Sequence, residues 1–563
     1  MPPLTLALLA CGPSPAIERP FGPADDLEVP HLNAPATAHA IFTRLRGGPA
    51  GPLARLPGRQ VTACSYGTEV VCGTGHGSSL DDAVQAIGAL PEGLLKVDVV
   101  VASRPGPLHR REVGVLGPRT RSGVVPPSRL LELGLDLSAE DADPWSLAEG
   151  DPSDLVATVA WVEAAEGPLH LNRLHAEPPE PSAAVLRRRA VWAAEHLHRQ
   201  VDPATGRFRY RWDPVSRTEP GGYNWLRHAG ATMALLQAWE RDPVPAWRAA
   251  AERALQALVA ETRPRPPNGR DLVDGGKVKL GGPALALVAL ATWQRVTGED
   301  HYADVASALA RFLVSQQQPS GQFASYAPIE PGADVPERVS SYYPGEAVLA
   351  LHLWSRLDSN PAWAGSATRG AAWLIEQRDG PKPDTHLLAD QWLMLALAGL
   401  ATVDADPRWL AHSQRLARAV EARRSRAEQH LAALPDYRGA VFDPPRGTPA
   451  AVRVEGVVAT LEHCRTAGAD CSWLEPVLRD LLHHLLRTQY LPGETWWTSP
   501  EPVLGAFAGG IVDPEVRVDY TQHALSGLLA AERWMGHDPT PIEDLRGPAL
   551  EVLGPSPHSA PAR

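Results

Sequence analysis

The sequence predicts a mainly α-helical protein: a closed (α/α)6 toroid over residues 184–540, preceded by a smaller α/β (α+β) domain over 31–175. Three observations carry this. Residues 183–536 hold twelve helix-length apolar segments that fit a period of 3.6 better than a period of 2. The connections between them alternate short and long. Residues 31–175 instead mix helical and strand periods, as a compact layered domain does.

In chain order, residues 1–30 read as a leader and Pro-rich tether. Leu4-Thr5-Leu6-Ala7-Leu8-Leu9-Ala10-Cys11-Gly12 resembles a bacterial lipobox, which implies lipidation at Cys11 and a lipid-anchored place in the cell envelope. No Lys or Arg opens the stretch and it is short for a signal peptide, so a chance match in a Leu- and Ala-rich chain stays open. No stretch has the ~18 apolar residues of a membrane span, so membrane contact is expected through the lipid alone. The other four cysteines fall as local pairs, Cys64 with Cys72 and Cys464 with Cys471. Such pairs can bridge in an oxidising compartment, and neither spacing suits zinc. Disulfides are expected, with free buried thiols as the alternative.

Between 31 and 175 the chain reads helix (37–46), hairpin (59–73), helix opened by Ser79 (80–90), strand Leu95–Val101, then Gly- and Val-rich strands to Val125. Gly73-Thr74-Gly75-His76-Gly77 lacks the Gly-x-Gly-x-x-Gly or Lys-Ser/Thr of a phosphate cradle and reads as a loop. Val113-Gly114-Val115-Leu116 and Gly123-Val124-Val125-Pro126-Pro127 resemble the small α/β domain named for the AMME deletion syndrome. That resemblance implies a fold and no catalytic residue. Residues 176–183, with Pro178, Pro179 and Pro181, form the linker.

The helical segments follow at 183–200, 223–241, 246–261, 282–297, 301–317, 343–357, 361–377, 387–402, 407–432, 451–467, 471–490 and 519–536. Connections after the even segments are short, such as Thr297-Gly298-Glu299-Asp300 and Asp358-Ser359-Asn360. Those before the even segments are mostly long and rich in Pro, Gly and Tyr: 201–222, 262–281, 318–342, 433–450 and 491–518. Long loops that all fall at one end make the even segments an inner ring, with their N-termini rimming one funnel. The inner segments are small and apolar on nearly every side, as buried helices are. Residues 541–563 read as a disordered Pro/Ser tail.

This pattern resembles the superfamily of six-hairpin glycosidases, sugar epimerases, polysaccharide lyases and terpenoid-cyclase/prenyltransferase toroids. Gln317-Gln318-Pro319-Ser320-Gly321-Gln322-Phe323 is similar to the Gln-x3-Gly-x-Trp repeat of squalene cyclases, with a looser echo from Gln200 to Phe208. The cyclases' Asp-x-Asp-Asp acid and the zinc sets of prenyltransferases and lanthionine cyclases are missing. No cofactor or metal is expected.

The inner segments open on polar and aromatic residues. Helix N-capping explains one carboxylate or hydroxyl each, but not the Arg, His and Tyr beside them. Glu346, Asp390, Asp519, His228 and His523 are the catalytic candidates. Sugar cleavage needs two opposed carboxyl groups, and two His residues facing each other could exchange protons as in toroid epimerases. Asn224, Arg227, Tyr342, Tyr343, Trp392, Glu455, Arg517 and Tyr520 are the substrate-binding candidates, the arginines suiting an anionic sugar such as a uronate. A formal charge of −12 gives no basic surface for nucleic acid. The expectation is an extracytoplasmic carbohydrate-active enzyme of glycosidase, lyase or epimerase type acting on a polysaccharide or uronate. The alternative is a non-catalytic envelope lipoprotein binding glycan or protein through the same funnel.

Overall fold

The protein is seen in a computed structural model that describes residues 32, 34–48, 53, 57–120, 123–135, 141–143, 152–330, 333–335, 339–431, 434–442 and 444–546. The leader with Cys11 and residues 547–563 lie outside the described residues.

The N-terminal domain runs α1 (Pro35–Leu45), β1 (Pro57–Tyr66), β2 (Val70–Ser79), α2 (Leu80–Ile87), β3 (Leu94–Arg104), β4 (Leu108–His109), β5 (Leu116–Thr120), β6 (Gly123–Val124), α3 (Pro127–Glu132), β7 (Asp141–Ala142), β8 (Pro152–Ala164), β9 (Gly167–Asn172) and β10 (His175–Ala176). Its main sheet has the order β10-β9-β8-β3-β1-β2, every pair antiparallel, with β5 also on β8. The domain is therefore of the α+β kind. Alternate residues Val61, Ala63, Leu95, Val97, Val99, Val159 and Trp161 pack into one core with residues of α1 and α2. The sequence reading ends its strands at Val125 and omits β8. Leu155, Val156, Val159, Ala160, Trp161 and Val162 are all buried, so this central strand lacks the alternation that marks a half-exposed one.

The Gly73–Gly77 run is strand, not the expected loop. Helix α2 lies directly on it: a Cβ at Gly75 would stand 1.9 Å from the Ala83 carbonyl oxygen. Both expected disulfides are formed, Cys64–Cys72 across the β1/β2 hairpin and Cys464–Cys471.

Twelve helices then build the ring. The inner six are α5 (Trp225–Arg241), α7 (Gly281–Thr297), α9 (Tyr343–Ser355), α11 (Gln391–Leu400), α13 (Gly447–Ala467) and α15 (Val518–Met535). The outer six are α4 (Ala183–Arg199), α6 (Pro245–Glu261), α8 (Ala303–Ser315), α10 (Pro361–Trp373), α12 (Pro407–Leu431) and α14 (Leu474–Leu486). Each inner helix packs on the next, and α15 packs on both α13 and α5, so the ring closes. Outer helices return the chain, so the inner helices run in one sense with their N-termini at one end. Small residues such as Ala284, Ala286, Ala347 and Ala350 are fully buried between neighbours. Caps set the ends: Asn224 and Asp390 accept from Arg227 N and Leu393 N, and Gly298 and Gly468 take left-handed conformations after α7 and α13.

Two long loops at the N-terminal end, before α13 and before α15, meet the N-terminal domain. Leu108, Val113, Leu116, Leu130, Leu155 and Leu174 share a core with Tyr437, Tyr490, Trp497, Val503 and Val512. Arg173 Nε donates to Asp436 Oδ2 at 2.5 Å, and His175 Nδ1 lies 3.1 Å from Glu494 Oε2. The linker is pinned as well, Glu177 to Arg487 and Glu180 to Arg438. The expected disordered tail is corrected in its first residues. Ile542–Arg546 forms a short helix, α16, because Leu545 buries its side chain and Arg546 pairs with Glu195 of α4 at 2.6 Å.

Candidate functional site

The first turn of α9 and the cap of α11 bring two buried carboxyl groups, Glu346 and Asp390, within electrostatic reach of each other at the N-terminal end of the ring. Pro344 opens α9, and the Glu346 amide donates to the Tyr342 carbonyl at 3.0 Å, which puts Tyr342 one turn above Glu346. Glu346 is 3% exposed, and its Oε2 is buried with no hydrogen-bond partner. That oxygen lies against the start of α7: a Cβ at Gly281 would be 2.2 Å from it, so this approach requires glycine. Burial, reinforced by the negative charge of Asp390, holds the Glu346 carboxyl up to about 8, so it is mostly protonated at neutral pH. Asp390 is fully buried, caps α11 through the Leu393 amide at 3.1 Å, and takes a hydrogen bond from Arg378 Nη1 at 2.8 Å. Burial raises its pKa while Arg378 opposes the rise.

A second group gathers on α11, α13 and α15. His523 Nδ1 lies 2.9 Å from Glu455 Oε2, and its ring centroid is 5.6 Å from that of Trp392. Glu455 is held above its ordinary pKa by burial, with His523 acting the other way. Gln522 and Gln391 complete this layer. The Gln522 amide fills the space beside Gly230 of α5, and Gln391 Oε1 is buried without a partner.

The third group is a closed charge network on the rim. Asp519 accepts from Arg517 Nη2 at 3.0 Å and lies 3.1 Å from Arg227 Nε. Arg227 also donates to the Tyr210 hydroxyl, and the Arg517 guanidinium sits over the Tyr520 ring at 4.3 Å. Burial pushes the Tyr520 phenol up to about 12. The pairing of both arginines with Asp519 leaves that carboxylate fully engaged.

Among the sequence candidates, then, Glu346 and Asp390 are neighbours; Glu455, His523 and Trp392 form one group; Asp519, Arg227, Arg517 and Tyr520 form another. Tyr343 lies beside Glu346 at Gly281, with its ring 6.0 Å from Tyr326. Asn224 caps α5 and donates to Asp274 at 2.9 Å, which binds it to the loop before α7.

His228 does not join them. The structure corrects the expectation that it faces His523: its Nε2–H donates to the Ala254 carbonyl of outer helix α6 at 2.8 Å, and the Tyr223 hydroxyl donates to its Nδ1 at 2.7 Å. Both nitrogens are engaged between the layers, and burial pushes the imidazole down to about 4. At position four of α5, a residue one turn past the cap points outward, which an N-terminal location alone does not reveal. Gln391, Gln522, Arg378 and Arg453 were missed. Gln391 and Gln522 stand next to Trp392 and His523 in the sequence, and that adjacency was their one signal. Arg378 comes from a wide π turn, Leu374–Asp379, that extends α10 and has no sequence signature.

No family model matches the chain, and no curated protein matches it. Solved structures similar to it include an unsaturated glucuronyl hydrolase specific for heparin, at 15% identity over 62% of this chain and 97% of that one, with a TM-score of 0.45. A family 76 glycoside hydrolase from a bovine Bacteroides thetaiotaomicron strain is similar at 11% identity over 85% of this chain and 94% of that one, TM-score 0.45. Cellobiose 2-epimerase from Spirochaeta thermophila is similar at 15% identity, 62% and 98% coverage, TM-score 0.44. At these values the likenesses carry no argument about activity; the ring rests on its own helix contacts.

Proposed function

We propose that the N-terminal end of the ring is a funnel-shaped active site for a carbohydrate, working by proton transfer in the manner of a glycosidase, lyase or epimerase. The observation that carries this is Glu346, a buried carboxyl with an unpartnered oxygen, protonated near neutral pH at the N-terminal end of an inner helix. A carboxylic acid poised to give up a proton at pH 7 is what general acid catalysis uses. His523, oriented at Nδ1 by Glu455, keeps Nε2 for the opposite role of base. Tyr343, which is only partly buried, offers a ring face to a sugar. Asp390, bound by Arg378, adds to the rise that burial gives the Glu346 carboxyl; Asp519 organises the two arginines beside it.

The second reading is a non-catalytic glycan- or protein-binding envelope protein, favoured by the complete pairing of Asp519 with Arg227 and Arg517. In either case we place the protein in the bacterial envelope, anchored by lipid at Cys11, which the two disulfides support as the mark of an oxidising compartment. The test is a polysaccharide and uronate panel, scored for product by wild type, Glu346→Gln and His523→Ala. Turnover by wild type, with a loss of at least about a hundredfold in each variant, is the expected outcome. Turnover that survives Glu346→Gln would sink the mechanism, and glycan binding without turnover would favour the second reading. Palmitate-analogue labelling that Cys11→Ala fails to abolish would refute the anchor.

A further inference from the structure

Arg453 lies on α13 two residues before Glu455 and is 7% exposed. Its Nη1 donates to the Pro449 carbonyl of its own helix at 2.6 Å, and its Nε is buried with no partner. Among the described residues no carboxylate comes within ion-pair distance of it. Burial, together with the second cation Arg423 of α12, holds the guanidinium down to about 10 against the pull of the Tyr342 phenol, so it is still charged at neutral pH. Its charge stands over the Phe442 ring at 5.3 Å, and Phe442 is 48% exposed. Burial holds the Tyr342 phenol up, with Arg453, Arg423 and Arg378 opposing the rise and Asp390 adding to it, and Tyr342 is itself partly exposed, one turn above Glu346.

Three other arginines of this end are paired with carboxylates: Arg227 and Arg517 share Asp519, and Arg378 divides its donors between Asp379 and Asp390. A guanidinium this buried, with no carboxylate in ion-pair reach among the described residues, is costly, and an apolar residue there would be more stable. Such a cost persists where a ligand supplies the missing charge. Two partly exposed aromatic rings next to it provide the faces on which a sugar ring packs.

We propose that Arg453, flanked by Arg423, Tyr342 and Phe442, receives an oxyanion (a carboxylate or a sulfate ester) on the sugar unit next to the one presented to Glu346, so that the ligand is an acidic oligosaccharide. This rests on the reading of the same end as a glycan site. It moves the anion-recognising role from Arg227 and Arg517, which Asp519 neutralises, to an arginine that the sequence does not single out.

The experiment is calorimetric binding of three hexasaccharides to the full chain: oligogalacturonate, a sulfated galactan and a neutral galactan. Wild type should bind one acidic hexamer at least tenfold tighter than the neutral one, and which one identifies the oxyanion. Arg453→Met should bring all three to within about twofold of each other, and Arg453→Lys should keep part of the preference. Arg453→Met should also melt at a higher temperature than wild type, since it removes the uncompensated charge. Should Arg453→Met fail to fold, Arg453→Lys and the loss of the wild-type preference at high salt give the same reading. Equal binding of acidic and neutral hexamers by wild type, binding of none of them, or a preference that survives Arg453→Met overturns the proposal. Glu346→Gln keeps the preference if the proposal is right. Preference without turnover of any glycan would remove the catalytic reading and leave this one standing.

Discussion

Glu346 meets two opposing demands. Its carboxyl is buried against Gly281 with an oxygen left unpartnered, and it shares its surroundings with the charge of Asp390. The folded-state pKa is about 8 against an ordinary 4.5, so its contribution to stability is fully present below 4.5 and is lost as pH rises through 8. Each pH unit in that window removes up to about 1.4 kcal/mol. Glu346→Gln should therefore flatten the stability curve and melt above wild type at pH 8.5, measured by denaturant unfolding at several pH values. An unchanged slope would mean that the carboxyl is ionised in the folded protein. His228 behaves in the opposite sense. Its folded pKa is about 4 against 6.5, so the stability it contributes is present above 6.5 and lost as pH falls through 4. His228→Phe should remove part of the acid sensitivity without touching binding at the ring end. These two residues also show what a residue type at a helix start can and cannot reveal. Polar character at the inner N-termini was legible. Whether a side chain points into the ring or out toward α6 was not, because one position along a helix turns it by about 100°.

Among the elements, the twelve ring helices match their expected segments closely, since long amphipathic or all-apolar runs are strong signals. Less legible was what ties them. Gln317 Nε2 donates to the Gly321 carbonyl at 3.1 Å and to the Ser366 carbonyl of α10 at 2.9 Å, while Gly321 takes φ +96 and Phe323 is buried. The repeat-like stretch is thus a turn that hooks the end of one outer helix to the next. Gln489 repeats the device: its Nε2 donates to the Gly505 carbonyl at 3.1 Å and to the Arg189 carbonyl of α4 at 2.9 Å, and it pairs with Phe507. The intervening residues hide it from a fixed-spacing search. Gln317→Ala should cost roughly 1–3 kcal/mol of unfolding free energy, because the Ser366 hydroxyl and carbonyl lose their partner. In the N-terminal domain, Gly75→Ala should cost at least about 2 kcal/mol, since its new methyl would meet α2 backbone rather than a movable side chain. Wild-type melting of either variant would remove the packing explanation given for it.

For the whole molecule, the surprise is how firmly the N-terminal domain sits on the ring's long loops. A Pro-rich stretch between two domains reads as a tether from composition alone. In the fold it is a strap pinned through Glu177–Arg487 and Glu180–Arg438, whose glutamates stay half or more exposed, while just before it the Arg173–Asp436 pair is buried on both sides. Sequence patterns do not carry such long-range pairings. Asp436→Ala leaves the Arg173 charge buried without its partner and should destabilise the protein by about 3–5 kcal/mol. It should also speed proteolysis at 176–183; unchanged cleavage there would show that the apolar core at this junction suffices by itself.

The closing contact of the ring has a consequence in time. Helix α15, which ends at Met535, is the piece that seals α13 to α5. A growing chain therefore emerges with five inner helices whose two terminal flanks are bare until the segment up to Met535 has been made. Those flanks are lined by Ala, Val and Leu, and during that interval they are as adhesive as any unfinished core. A chain ended at residue 517 would carry nearly every helix of the protein and still have no ring.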